Sequence, residues 1–77
     1  MSDVEAKVIA IVSNLIGVSA SRVTLDSSLL KLNVDSLDQI EIIMAVEDAF
    51  DIEIADEAAE EIKTVRELVD LVKLSLP

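Results

Sequence analysis

Gly17 is the only glycine in the chain, and Pro77, the last residue, is the only proline. Hairpins, bulges and tight turns draw on those two residue types, so 77 residues with one of each lack the punctuation of a turn-rich β fold. What the chain has instead is aliphatic residues at helical spacing. Val4, Val8, Ile11, Val12, Leu15 and Ile16 recur as one apolar stripe. Ser2-Asp3-Val4-Glu5 reads as a capping box that opens this stripe. Gly17 stands where it stops, suited to the left-handed residue that ends many helices. A first helix is expected over about residues 3–16.

The next stretch, 18 to 35, is too apolar for disorder and too irregular for a long helix. Val18, Val23, Leu25, Leu29, Leu30, Leu32 and Val34 punctuate it, with Ser, Thr and Asp between them. It reads as a loop pinned to the core, with a helical turn at Ser19–Val23 or Ser27–Leu30. Long ordered loops in compact domains are often functional. A second helix is expected from about Ser36 to Phe50, with Ile42, Ile43, Val46 and Phe50 facing the core. Asp38, Glu41 and Asp48 cluster on roughly the opposite side, and Leu37 and Met44 lie beside that acidic stripe. Periodicity leaves two readings of Leu37 and Met44 open: a docking face bordered by acids, or the edge of the core. Asp51-Ile52-Glu53-Ile54 alternates as a strand would, but there is no second strand for it to pair with. It reads as a loop with Ile52 and Ile54 turned inward. Asp56 opens a short helix to about Glu61 or Ile62, and Thr64-Val65-Arg66-Glu67 is a capping box for a last helix carrying Val65, Leu68, Val69, Leu71 and Val72. The expected fold is all-α: three main helices and one short one, a small four-helix bundle with a long loop between helices one and two.

A chain of this length is one domain, 1–77, near the small end for folding alone. Hydrophobic residues make up 52% of it but aromatics only 1%, from Phe50, so the core is almost wholly aliphatic. Cys and His are both absent. That removes thiol nucleophiles, disulfides, the usual transition-metal ligands and the commonest general base near neutral pH. The apolar runs are short and broken by charge, so no segment is expected to enter a bilayer stably. The first residues are acidic and amphipathic, unlike a signal or transit peptide, and a cytoplasmic monomer is expected. The net charge is −10, which disfavours nucleic acid and anionic membranes and makes a basic protein surface the natural complement. From Asp35 to Glu61 there are 11 acidic residues and no Lys or Arg. A solvated face is the commoner meaning of such a run, yet this one begins at a serine with unusual surroundings.

That serine is Ser36. Asp35 is a good N-cap, and Asp38 can reach back to it. Ser36 then takes the first helical position, its hydroxyl outward beside amides with no partner inside the helix. Such a start favours a negative group, above all a phosphate. The same residues also make an ordinary helix start. A catalytic serine needs a base, and without His only a Ser–Lys pair through Lys31 could supply one. No substrate pocket is implied, so no enzyme and no catalytic residue is expected. No acidic stretch holds the central glycine of an EF-hand loop, so no metal site is expected beyond loose binding to clustered carboxylates. The remaining reading is that other proteins modify Ser36 and the domain carries the group. The alternative is an acidic interaction module that carries nothing.

Asp35-Ser36-Leu37-Asp38, followed by Glu41, Met44, Glu47, Asp48, Phe50 and the Asp51–Ile54 loop, resembles an acyl carrier protein. The likeness covers nearly the whole chain: the first stripe closed by Gly17, Val23-Thr24, Asp56-Glu57 and Lys63-Thr64-Val65. It implies a covalent 4′-phosphopantetheine on Ser36, attached from coenzyme A by a phosphopantetheinyl transferase, and acyl intermediates held as thioesters, most simply in fatty acid biosynthesis. It also implies that Asp35, Leu37, Asp38, Glu41, Met44, Glu47 and Asp48 dock the basic faces of that transferase and of fatty acid or polyketide synthesis enzymes. Three positions depart from the family pattern. Lys31-Leu32-Asn33 replaces a usual Asp-Leu-Gly, and Ala55 replaces a frequent Pro. Asn33 is expected to preserve the turn, since Asn tolerates left-handed backbone angles. These departures leave room for a specialised carrier of polyketide, unusual lipid or aminoacyl groups.

Overall fold

A computed structural model describes residues 2–77. It contains α1 (Asp3–Ile16), α2 (Ser36–Phe50), α3 (Asp56–Glu60) and α4 (Val65–Ser75), with a 3₁₀ turn at Ala20–Arg22. The turn falls in the first of the two places expected. Among the described residues the only extended pairing is an isolated antiparallel bridge between Ser28 and Thr64.

The helix ends follow from local chemistry. Ser2 Oγ accepts the Glu5 amide at 3.2 Å and so caps α1. Gly17 has φ 73°, and both its amide and that of Val18 donate to the Ser13 carbonyl. At α4 the full box is present: Thr64 Oγ1 accepts from the Glu67 amide, and Glu67 Oε1 accepts from the Thr64 amide. Asp51, in the left-handed region at φ 55°, closes α2 without a glycine.

α1 packs on both α2 and α4. Val8 and Val12 of α1, Ile42 and Val46 of α2, and Val65, Leu68 and Val72 of α4 are fully buried at the centre. Each such side chain contributes roughly 1.5–3 kcal/mol by leaving water. The connections add Val23, Leu29, Val34, Ile54 and Ile62 to the same core. Phe50 is only half-buried, and the Lys7 ammonium sits 5.3 Å from its ring centroid, joining the start of α1 to the end of α2. Leu15 is largely exposed despite its place in the first stripe. Ile52 is half-buried and Ile54 buried, as the irregular reading of that loop expects.

Candidate functional site at the start of α2

The loop before α2 is held at both flanks. Val23, Leu29 and Val34 enter the core. The Leu29 amide donates to the Lys63 carbonyl at 2.9 Å, the Val65 amide to Ser27 at 3.1 Å and the Arg66 amide to Leu25 at 2.8 Å. These bonds lash the loop to the end of the connection between α3 and α4 and to the first turn of α4. Arg66 adds an ion pair with Asp26 at 2.9 Å. The Asp26 hydrogen bond, and then its charge, raise the Arg66 guanidinium above its ordinary value. The pair is exposed, so water screens most of its worth.

Asn33 makes the last turn with φ 63°, and the Val34 amide donates back to Leu29. Asp35 then caps α2. Its Oδ1 accepts the Asp38 amide at 2.8 Å, while Asp38 Oδ2 accepts the Asp35 amide at 3.4 Å. Ser36 is the first residue of the helix and is exposed. The amides of Asp38 and Gln39 are engaged by Asp35. Those of Ser36 and Leu37 have no carbonyl to reach within the helix.

The other expected residues divide into two groups. Leu37 and Met44 stand out from the surface, 65% and 62% exposed, which settles that they are not core. Asp35, Glu41 and Asp48 are also exposed. Asp38 and Glu47 are half-buried and tied to the fold: Asp38 in the capping box, Glu47 through a bond from the Ile54 amide. Sequence reasoning missed Ile40, which is 56% exposed between Leu37 and Met44. Its signal was present in the spacing, three after Leu37 and four before Met44, which puts all three on one ridge. It missed Gln39 as well, which reaches α3 and had no local signal.

From Ser36 a groove of about 550 Å³ runs past Ile40 and Ile43 of α2, with Ala59 and Glu60 of α3 on its far side. Its walls are mainly apolar, and Ser36 is among the residues that line it. No catalytic pair is assembled here, and neither salt bridge among the described residues draws on positions 35–61.

The bundle thus presents an exposed serine, Ser36, at the first position of α2 and among the residues lining an apolar groove. Residues 6–72 match the family described as the phosphopantetheine attachment site. The chain is similar in structure to an acyl carrier protein from Thermotoga maritima, with a TM-score of 0.79 and 33% identity over 91% of this chain and 82% of that one. It also shares the fold of the apo doublet acyl carrier protein from prodigiosin biosynthesis, with a TM-score of 0.83 and 23% identity. There it covers 95% of this chain and 36% of the doublet.

The chain belongs to the phosphopantetheine-attachment family of acyl carrier proteins, which are carriers and not enzymes. Their cofactor is a covalent 4′-phosphopantetheine. The residues present fit that group. A phosphodiester needs an accessible hydroxyl, and Ser36 is exposed at the start of α2, where two amides lack carbonyls within the helix. Among the described residues, no helix is long and apolar enough to cross a membrane.

Proposed function

We propose that Ser36 is the attachment residue and that this chain carries acyl intermediates of fatty acid biosynthesis, as a cytoplasmic monomer. The observation that supports this best is that Ser36 is exposed at the first position of α2 and lines an apolar groove. When attached, the arm supplies a thiol on a flexible tether, where an acyl group is held as a thioester.

The chain's own residues do three things. Asp35 and Asp38 lock the helix start, so that Ser36 meets a visiting enzyme in one orientation. The helix start favours the phosphate by about 0.3–1 kcal/mol, which the charges of Asp35 and Asp38 offset. No His is available to take the hydroxyl proton, so that base comes from the phosphopantetheinyl transferase. The ridge of Leu37, Ile40 and Met44, flanked by Glu41 and Asp48, offers an apolar strip inside a negative rim. Such a surface suits partner enzymes with a basic rim around an apolar patch, and the charge steers their approach.

A second reading has its own observation. Lys31 is exposed in the loop leading to Ser36, where the family usually has an acid. A positive charge there favours a different set of partners, as in a carrier for polyketide, unusual lipid or aminoacyl groups.

The test is incubation with coenzyme A and a broad-range phosphopantetheinyl transferase, followed by intact mass. The expected result is one added 4′-phosphopantetheine, lost in Ser36→Ala. An unchanged mass, or an equal gain in Ser36→Ala, removes the proposal and leaves an interaction module that carries nothing. Mass analysis of the thioester-bound group on protein isolated from its native cell separates the two pathway readings.

A further inference from the structure

α3 is five residues long, too short to persist on its own hydrogen bonds. Ala55 offers no side-chain acceptor at its N-cap, and its last turn holds no basic residue. Its hold on the bundle comes from elsewhere. The side-chain amide of Gln39, on α2, donates through Nε2 to the Ala59 carbonyl at 2.7 Å and approaches the Ile62 carbonyl at 3.5 Å. Gln39 thus caps the C-terminal end of α3 from a different helix. Ahead of α3, the Ile54 amide is held by Glu47, also on α2. Between the two lies the groove, with Gln39 in its wall one turn after Ser36.

We propose that Gln39 is a latch that holds α3 against α2 and so sets how far the groove beside Ser36 opens. It is a positioning residue: it acts on α3, not on any reacting atom. Ile54 and Ile62 are buried at either end of the short helix, while Ala58 and Ala59 are only partly covered. An outward swing of α3 about its two anchored ends would break the Gln39 bonds and lift Ala59 from the core. A neutral amide bound to a carbonyl is strong enough to bias the groove closed and weak enough to be released. A linear apolar chain entering between α2 and α3 would displace the Gln39 amide from Ala59. That consequence rests on Ser36 being the attachment residue, whereas the latch does not.

The test uses the unmodified full chain and amide hydrogen exchange. The amides of Ala59, Glu61 and Ile62 bond within or just beyond α3 and report on it. Those of Val12, Val46 and Val69, at buried core positions, serve as references. Gln39→Leu removes the donor and keeps bulk, and Gln39→Glu sets a carboxylate against two carbonyls. Relative to the reference amides, the α3 amides are expected to exchange about five- to tenfold faster in both variants. Unchanged relative rates in both variants overturn the latch. The mass measurement after transferase treatment is read separately. Its failure removes the Ser36 reading and leaves the exchange result standing.

Discussion

The Glu47 carboxylate accepts the backbone amide of Ile54 at 2.8 Å, tying the second half of α2 to the segment that leads into α3. An acid expected to meet partners is thereby committed to the fold. Glu47→Ala leaves the Ile54 amide without that acceptor in a half-buried place, and chemical denaturation should register a loss of about 1–2 kcal/mol. Relief of repulsion among neighbouring acids offsets part of it. Glu47→Gln keeps an acceptor oxygen and is expected to lose less than half as much. Equal stability of Glu47→Ala and the parent would show that the bond contributes nothing.

Gly17 ends α1 at φ 73°, and a Cβ built there meets nothing within 4 Å. The cost of Gly17→Ala is therefore backbone strain alone, about 1 kcal/mol. Gly17→Asn should cost less, because Asn visits this region more readily. Thermal unfolding of the two variants checks the order, and an Ala variant as stable as the parent contradicts it.

The ridge beside Ser36 predicts a separation of effects. Ile40→Gln and Leu37→Gln remove exposed apolar surface without adding charge, so the melting temperature should hold while the rate of transferase modification falls by about tenfold. Glu41→Gln with Asp48→Asn should instead lower the rate mainly at low salt and flatten its salt dependence, because exposed charges are screened over ~8–10 Å at ordinary ionic strength. A rate that ignores all four substitutions would place docking elsewhere.

The net charge of −10, with 11 acids and no base between Asp35 and Glu61, makes self-repulsion a standing cost of the folded state. Added salt or millimolar divalent cations should raise the melting temperature. Among the described residues no three His, Cys, Asp or Glu side chains gather as metal ligands, so the expected effect is screening and not a formed site. A flat melting temperature across such a titration would contradict it.

Much of the bundle was legible because its signals are local. Ser2, Asp35 and Thr64 announce helix starts through bonds that span three residues. Gly17 announces a helix end, and Asn33 makes its turn at φ 63° as expected of an Asn in place of Gly. The exposure of Leu37 and Met44 was not legible, since periodicity alone placed them at the boundary between core and surface. Ile40 shared that ambiguity: its spacing from Leu37 and Met44 put it on their ridge, but spacing alone does not separate an exposed ridge from the edge of the core until the neighbouring helices are in place.

The order and bounds of the helices, the aliphatic core and the cap that sets Ser36 at a helix start are properties of the chain read locally, because propensity, capping and periodicity act within a turn or two. The lashing of Leu29 to Lys63, the hold of Gln39 on Ala59 and the groove between α2 and α3 belong to the folded molecule alone. The two bonds join residues 20 or more positions apart, and a polar side chain carries no mark of a distant carbonyl until packing has brought the two together.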